Sequence, residues 1–307
     1  MDWNEFLNIL SKNDVEHNLS KNIPERALWG VAPTGNIHIG YLQNIGILKL
    51  LKKFGTKVIL PIADYHAYMD SEKTKWEELS NKTHYYLNVL EGFGFKKERE
   101  MVVLSEIYTQ KSYIEGFYQF SRKLPGEDLI KYAGTTLKSN STKDYRFSDF
   151  LYVATQIYDI IYFDIDFVLS GQDESGIYRL GLPITDKVGN KTFFAYCPNN
   201  HGLYKKEMHA SDDKSNNITV HDELDTITEK IEVYLQRCLR INTKPILIYR
   251  LENSIFPLFN IKQENSIKDI LKEYQEKDVS YLSEKVSEKL DKILKPVRTN
   301  LKKELLL

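Results

Sequence analysis

The sequence predicts an α/β protein, in which a parallel-sheet domain is followed by a small helical domain. Between residues 26 and 104, short apolar runs alternate with segments of helical period in the order strand, helix, strand, helix, strand, as in parallel sheets with crossover helices. In the last third of the chain, 223–239 and 267–301 are long amphipathic segments rich in Lys and Glu. A chain of 307 residues is long enough for two domains, which we place at 1–220 and 221–307.

The elements follow one another along the chain. Arg26-Ala-Leu-Trp-Gly-Val31 is an apolar run that ends at Pro33-Thr-Gly35 and predicts a buried strand. Ile39–Phe54 carries apolar residues at helical spacing and stops at Gly55. The remaining predictions are a helical lead-in at 1–26, helices at 76–90 and 147–162, strands at 57–63, 101–104, 164–169 and 192–197, and a loop at 126–144.

Composition predicts a soluble, cytoplasmic protein. Hydrophobic residues make up 42% and charged residues 28%, which argues against disorder. Cys197 and Cys238 lack metal-type spacing, so we expect neither a disulfide nor a protein-bound metal. The acidic start is unlike a signal peptide, and no apolar run approaches the roughly 20 residues that span a bilayer. We therefore expect no membrane partner.

Charge gives a weaker signal. The net charge of -1 provides no overall attraction to nucleic acid, whereas residues 285–303 carry six Lys and one Arg against Glu288 and Asp291. Such a run is either a solvated helix face or a basic binding surface.

The strongest local pattern is Gly30-Val-Ala-Pro-Thr-Gly-Asn-Ile-His-Ile-Gly40, which reads as a strand, a tight turn and a helix start. A helix N-terminus offers unpaired N–H donors that suit a phosphate. Gly35 and Gly40 allow a ligand to approach the backbone, and His38 can donate to a phosphoryl oxygen. The pattern alone also fits a plain strand–helix connection with an incidental histidine.

A second pattern lies on the predicted helix at 147–162. Tyr152, Gln156 and Asp159 are spaced four and three apart, so they share one helix face. Buried polar groups of this kind need hydrogen-bond partners, which a polar ligand would supply. A satisfied core network is the alternative interpretation.

Two motifs carry a resemblance to a known family. His38-Ile-Gly-Tyr41, preceded by Pro33-Thr-Gly35, resembles the HIGH signature of class I aminoacyl-tRNA synthetases, with Tyr41 in place of the last His. Ala63-Asp-Tyr-His-Ala-Tyr-Met-Asp70 is similar to the ADLHAYL segment of archaeal and eukaryotic tyrosyl-tRNA synthetases. The resemblance extends over essentially the whole chain. It implies a Rossmann-type catalytic domain, use of ATP with Mg²⁺, an aromatic amino acid as substrate, tRNA as acceptor, and a homodimer.

The resemblance also assigns roles to individual residues. It implies a catalytic role for His38, Tyr41, Ser211 and Lys214. It implies that ATP is bound by Pro33, Gly35, His38, Gly40, Gly171 and Asp173. It implies that the amino acid is bound by Leu28, Gly30, His66, Tyr152, Gln156, Asp159 and Glu174. We expect the ligands at the carboxyl ends of the parallel strands, where 30–40 and 170–174 converge.

Four departures from the family pattern bear on function. Leu28 stands where the family has a Tyr whose hydroxyl pairs with the Asp at the substrate phenol, and Glu174 replaces the usual Gln near the ammonium. The KMSKS-like loop, at 209–215, reads His-Ala-Ser-Asp-Asp at its start and lacks the signature Lys there. The anticodon-reading Asp is missing from its expected place at 278–281.

Three functions are consistent with these residues. The first is activation of tyrosine or a related aromatic amino acid as an adenylate, followed by transfer to tRNA. The second is a synthetase paralogue that activates an amino acid for another acceptor, to which Leu28, the loop at 209–213 and the change at 278–281 point. The third is a catalytically silent protein that binds RNA or an amino acid, against which the survival of His38, Gly40, Gln156, Asp159 and Asp173 argues.

Overall fold

The computed structural model describes most of the chain, as two compact units. It describes residues 2–12, 14–19, 22–70, 74–137, 145–187, 192–199, 201–205, 208–210, 213, 215–272, 274–275 and 278–304. The first unit comprises Met1–Thr34, Leu51–Leu87 and Lys96–Pro198, and the second comprises Gly35–Leu50, Asn88–Phe95 and Asn199–Leu307. Each unit is assembled from separate stretches of sequence, and the domain boundary between 220 and 221 stays a prediction.

The first unit contains a sheet that has six strands among the described residues. The strands are β1 (Glu16–His17), β2 (Arg26–Leu28), β3 (Lys57–Ile62), β4 (Met101–Val103), β5 (Phe167–Gly171) and β6 (Phe193–Cys197), in the order β1-β6-β5-β2-β3-β4. β2 to β6 are parallel, and β1 pairs with β6 in the antiparallel direction. Phe167, Val168 and Leu169 are fully buried, as expected of parallel strands that helices cover on both faces. The predicted parallel sheet is confirmed.

Helices connect and follow the strands. Those up to residue 187 are α1 (Trp3–Lys12), α2 (Leu42–Lys53), α3 (Asp64–Met69), α4 (Leu79–Gly92), α5 (Lys97–Glu100), α6 (Leu104–Tyr108), α7 (Lys111–Ser121), α8 (Gly126–Leu137), α9 (Phe147–Tyr162) and α10 (Ser175–Lys187). The C-terminal part of the second unit contains α11 (Leu224–Arg240), α12 (Ile246–Arg250), a π-helical turn (Leu251–Ile255), α13 (Phe256–Leu258), α14 (Asn265–Lys272) and α15 (Val279–Glu304). The helical C-terminal region predicted from its amphipathic segments is confirmed.

Several element bounds differ from the sequence prediction. The strand predicted at 164–169 begins at Phe167, because Asp164 takes a left-handed conformation (φ 55°) after α9 and the Asp166 carboxylate accepts the backbone N–H groups of Glu25 and Arg26 at 2.7 Å. Helical period continues across 267–301, but the chain forms two helices, α14 and α15, rather than one.

The loop predicted at 126–144 is wrong over its first part, which forms α8. Glu127 and Asp128 lie in the first turn of this helix, where negative charge favours the helix N-terminus. Residues 138–144 lie outside the described part of the chain.

The basic run at 285–303 is not a uniform solvated face. Lys289 is buried in an ion pair with Glu252, and Arg298 is buried in ion pairs with Asp291 and Glu223. The exposed cations of the run are Lys292, Lys295, Lys302 and Lys303.

In the part of the chain that the structure describes, no helix is both long and apolar enough to cross a membrane.

Candidate active site

A pocket opens in the first unit at the carboxyl ends of four parallel strands. Gly30, Ala63, Leu104 and Glu174 follow β2, β3, β4 and β5 respectively, and all four line it. β2 lies between β3 and β5 in the sheet, so the strand order reverses at β2. The pocket is therefore at the topological switch point, where α/β sheets bind ligands. About 380 Å³ of space, part of it open to solvent, lies between the lining residues.

The pocket brings together all seven residues that the sequence assigned to amino-acid binding. They are Leu28, Gly30, His66, Tyr152, Gln156, Asp159 and Glu174. Their role in binding stays a prediction.

One helix contributes three of these side chains. α9 spans Phe147–Tyr162, as its apolar period predicts, and its first turn is held by the Asp149 carboxylate, which accepts the backbone N–H of Arg146 at 2.7 Å. Tyr152, Gln156 and Asp159 are buried on the face that the helical spacing predicts.

Asp159 is an acid of the pocket whose two carboxylate oxygens both accept hydrogen bonds. Its Oδ2 accepts the hydroxyl of Tyr108 and its Oδ1 accepts the hydroxyl of Tyr113, each at 2.8 Å. Burial raises the pKa of Asp159 to about 7, although the two hydroxyl donors oppose that change. Asp159 therefore takes up a proton at a higher pH than an exposed aspartate does.

His66 is held neutral beside Asp159. Burial lowers the pKa of His66 to about 3. Its Nε2 lies 2.8 Å from the Thr155 hydroxyl and 3.1 Å from the Tyr108 hydroxyl. The Thr155 hydroxyl donates to Leu151 O and the Tyr108 hydroxyl donates to Asp159, so we assign the His66 proton to Nε2, which donates to both oxygens.

Gln156 presents an unsatisfied acceptor. Its Nε2 donates to the Tyr178 hydroxyl at 2.9 Å, whereas its Oε1 is buried without a hydrogen-bond partner among the described residues. Burial, and after it the negative charge of Glu174, raise the pKa of both Tyr152 and Tyr178. A buried acceptor beside a carboxylate suits a cationic donor such as an ammonium group.

Leu28 closes the pocket with an apolar side chain. It is buried at the end of β2 and packs with Val168, Tyr178 and Ile160. The position therefore offers a ligand no hydroxyl.

The second unit holds the HIGH-like motif. His38 precedes a single turn of 3₁₀ helix at Ile39–Tyr41, and its Nδ1 accepts the backbone N–H of Gly40 at 3.1 Å. In the neutral ring this bond leaves the proton on Nε2. The Tyr41 ring lies edge-on to the imidazole, with 4.9 Å between centroids.

Backbone pairing joins this motif to the segment that follows the KMSKS-like loop. Ile39 N donates to Ile218 O at 2.9 Å and Val220 N donates to Ile37 O at 3.0 Å. His38 and Thr219 form the antiparallel bridge between these two bonds. The HIGH-like motif and residues 218–220 are thus neighbours within one unit.

The remaining predicted residues are placed as follows. Pro33 is buried, and its carbonyl accepts the Thr74 hydroxyl at 3.2 Å. Gly171 ends β5, and Asp173 is exposed in the 3₁₀ turn that follows. Gly35 and Gly40 flank His38 in the second unit. Ser211 and Lys214 lie outside the described residues.

Sequence reasoning missed Tyr108, Tyr113 and Tyr178. Tyr108 ends α6, which starts directly after β4, so the rule that ligands bind at the carboxyl ends of parallel strands pointed to this segment. Tyr113 and Tyr178 carried no sequence signal, because only the fold brings them to Asp159 and Gln156.

The pH dependence of stability tests the environment of Asp159. Between its ordinary pKa of 3.8 and about 7, the folded protein keeps a proton that the unfolded chain releases, so this group favours folding less as pH rises. We expect the free energy of unfolding of the wild type to fall relative to Asp159→Asn across this window, by up to about 1.4 kcal/mol per pH unit. Urea unfolding of both proteins at several pH values measures the difference. Both proteins contain His66, so its contribution to the pH dependence cancels in the difference. A difference that does not vary with pH would contradict the raised pKa of Asp159.

Comparison with known proteins places the chain in a family. The family model for class I tRNA synthetases (W and Y) matches residues 20–295. The tyrosine–tRNA ligase of Methanobrevibacter smithii is 27% identical over 229 residues, which are 74% of this chain and 70% of that protein. The tyrosine–tRNA ligase of Methanocaldococcus jannaschii is 26% identical over 305 residues, which are 95% of this chain and 96% of that protein.

Solved structures show the same fold. The tyrosyl-tRNA synthetase of Archaeoglobus fulgidus, complexed with L-tyrosine, aligns with a TM-score of 0.79 at 22% identity and covers 98% of this chain and 100% of that one. The tryptophanyl-tRNA synthetase of Aeropyrum pernix aligns with a TM-score of 0.72 at 17% identity and covers 98% of this chain and 82% of that one.

Proposed function

This chain belongs to the class I tRNA synthetases (W and Y), and we propose from that premise that it activates tyrosine with ATP and transfers the aminoacyl group to tRNA. The observation that carries the proposal is the pocket of the first unit, where α9 presents Tyr152, Gln156 and Asp159 beside Glu174. Curated relatives named tyrosine–tRNA ligase support tyrosine over the two alternatives that the sequence left open, the paralogue and the silent binding protein.

The pocket has suitable groups for both polar ends of a tyrosine. The buried Oε1 of Gln156 would accept a hydrogen bond from the substrate ammonium, whose charge Glu174 would balance. Asp159 would accept the phenol hydroxyl through a lone pair that Tyr108 and Tyr113 leave unused. Leu28, Ala32 and Leu104 would contact the apolar part of the substrate.

The reaction needs positioning and charge stabilisation. The substrate carboxylate oxygen forms a bond to the α-phosphorus of ATP, the bond from that phosphorus to the bridging oxygen breaks, and pyrophosphate leaves. The Nε2–H of His38 would donate to the phosphoryl oxygens, Gly40 and Gly171 would let the nucleotide approach the backbone, and Asp173 would bind the ribose hydroxyls. Mg²⁺ would be bound mainly through the ATP phosphates, because it retains several waters in enzymes of this kind.

Transfer to tRNA and assembly into a homodimer belong to the same proposal. Lys292, Lys295, Lys302 and Lys303 on α15 are exposed and would contact phosphates of the tRNA backbone. Tyr118 and Phe147, which are 67% and 74% exposed, are large apolar side chains in the stretch 105–150, where we expect the subunits to meet. We propose the cytoplasm as the site of action, where tRNA is charged.

Exchange of radioactive pyrophosphate into ATP tests activation. We expect exchange that depends on tyrosine when the twenty amino acids are tried one at a time, and subsequent charging of a tyrosine tRNA. Absence of exchange with every amino acid, in protein shown to be folded by circular dichroism, would refute the proposal. Exchange without charging of any tRNA would favour a different acceptor.

Replacing Gln156 by Met separates binding from folding. Losing an acceptor for a charged donor costs about 1.5–3 kcal/mol, so we expect the KM for tyrosine in the exchange reaction to rise roughly 10- to 100-fold. Stability should fall by no more than about 1–3 kcal/mol, because the buried Tyr178 hydroxyl loses its donor while the acceptor that lacks a partner is removed. An unchanged KM would remove Gln156 from the substrate site.

A further inference from the structure

Asp159 lines the pocket, but the two residues that donate hydrogen bonds to its carboxylate do not. Tyr108 and Tyr113, whose hydroxyls donate to its two oxygens, are not among the residues that line the pocket. Asp159 is therefore supplied with donors before any substrate enters.

Both donors are fixed in place. The Tyr108 hydroxyl oxygen also accepts Nε2–H of His66 at 3.1 Å, and its ring stacks on that of Tyr113, with 4.6 Å between centroids. Tyr113 is buried and packs edge-on against Tyr158 and Tyr162, each at 4.9 Å. A hydroxyl held by its partner and its ring neighbours does not have to reorient when a ligand binds or leaves.

This arrangement reduces the free-energy penalty for binding a substrate that has no hydroxyl. A site that relies on the substrate hydroxyl rejects the hydroxyl-free analogue by roughly 10⁴–10⁵, because its buried polar groups are then left unpaired. Here Asp159 accepts two hydrogen bonds from the protein itself. Leu28, which also lines the pocket, has no polar side-chain atom that could be left unpaired.

We infer that Tyr108 and Tyr113 are specificity-determining residues: they satisfy Asp159 in place of a substrate hydroxyl, so that the pocket accepts phenylalanine-like amino acids as well as tyrosine. The inference rests on the proposed function, since it concerns the substrate range of the same pocket. A single additional hydroxyl–carboxylate contact separates the two substrates. Tyrosine is still preferred, but by about a hundredfold or less in kcat/KM rather than by roughly 10⁴–10⁵.

The first test compares tyrosine with phenylalanine on the wild-type protein. The kcat/KM of each is measured by ATP–pyrophosphate exchange, and the Kd of each by isothermal titration calorimetry. We expect both amino acids to support exchange, with ratios of about a hundredfold or less. A ratio of roughly 10⁴ or more would overturn the inference and leave the proposed function intact.

The second test removes the two donors. In Tyr108→Phe/Tyr113→Phe, the hydroxyl of bound tyrosine becomes the only one of the three donors left to Asp159. Phenylalanine then leaves the carboxyl unpaired, so we expect the preference for tyrosine to rise at least tenfold, mainly through loss of phenylalanine binding. An unchanged preference would overturn the inference.

Tyr162→Phe is the matched control. Its ring contacts Tyr113 like those of the other tyrosines, but its hydroxyl donates to Gln110 at 3.1 Å and not to Asp159. We expect its substrate preference to equal that of the wild type, and a shift as large as in the double variant would assign the effect to packing instead. Should the double variant not fold, Tyr108→Phe alone must still raise the preference.

The two proposals fail in different ways. If the folded wild type exchanges pyrophosphate with neither amino acid, the proposed function fails, while the calorimetric Kd ratio still decides the substrate range of the pocket. If tyrosine alone supports exchange and phenylalanine neither binds nor reacts, only the inference fails.

Discussion

Replacing Lys289 by Met should lower the free energy of unfolding by about 3–5 kcal/mol, because it leaves the carboxylate of Glu252 buried without its counter-ion. Lys289 Nζ lies 2.9 and 3.0 Å from the two carboxylate oxygens, and the two side chains are 5% and 0% exposed. The ammonium group also lies 5.6 Å from the centroid of the Phe256 ring, which is fully buried. Water cannot replace the lost partner at such a site. Urea unfolding of the variant and the wild type measures the loss.

The double variant Lys289→Met/Glu252→Leu separates the charge effect from packing. Replacing both members of a buried pair by apolar residues of similar volume is often neutral or stabilising, so we expect it to recover most of the stability that Lys289→Met loses. Lys292→Met, which removes an exposed lysine of the same helix, should change stability by no more than about 0.5 kcal/mol. A loss below about 1 kcal/mol for Lys289→Met would show that the carboxylate does not depend on this lysine.

The ion pair also has a structural consequence within the second unit. Glu252 lies in the π-helical turn at Leu251–Ile255, and Lys289 lies on α15. The pair therefore ties the C-terminal helix to the segment that joins α12 and α13. Burial raises the pKa of Glu252, which indicates that desolvation outweighs the attraction of the lysine. The presence of a buried ion pair is therefore weak evidence for net stabilisation, because desolvation of both charges offsets their attraction.

Local patterns predicted what depends on neighbours in the sequence. Helical spacing placed Tyr152, Gln156 and Asp159 on one face of a helix at 147–162, and α9 has these bounds. Alternation of strands and helices predicted the parallel sheet, and therefore the edge at which the pocket lies.

Contacts between distant residues could not be predicted in this way. Glu252 and Lys289 are 37 residues apart, and Tyr108 and Asp159 are 51 apart. In the sequence alone, Glu252, Lys289 and Asp159 look like ordinary solvated charges, and Tyr108 looks like an ordinary core aromatic. Their roles depend on burial and on partners that only the folded chain provides. Helical spacing therefore predicted that Asp159 needs hydrogen-bond partners, but it could not show that Tyr108 and Tyr113 supply two of them.

Replacing His38 by Ala should reduce the kcat of tyrosine-dependent exchange by roughly 10²–10³, the usual cost of removing one preorganised donor to a transition-state oxyanion. The Gly40 N–H bond to Nδ1 fixes the neutral ring with its proton on Nε2, so the ring is a donor without reorganisation. The backbone around His38 is also held, because residues 37–39 pair with residues 218–220. Negative charge grows on the phosphoryl oxygens only as the carboxylate attacks, so the KM for tyrosine should change little.

Two further variants decide whether the loss comes from the donor or from the fold. His38→Asn keeps an acceptor that Gly40 N–H can reach and a neutral donor, so we expect a loss smaller than that of Ala. His84→Ala, on the exposed face of α4, should leave exchange unchanged. Steady-state exchange and thermal unfolding of all four proteins measure both quantities. A fall in kcat below about tenfold for a folded His38→Ala would show that charge on the phosphoryl group is stabilised elsewhere. A rise in the KM for tyrosine at constant kcat would instead show that His38 stabilises the bound substrate and the transition state equally.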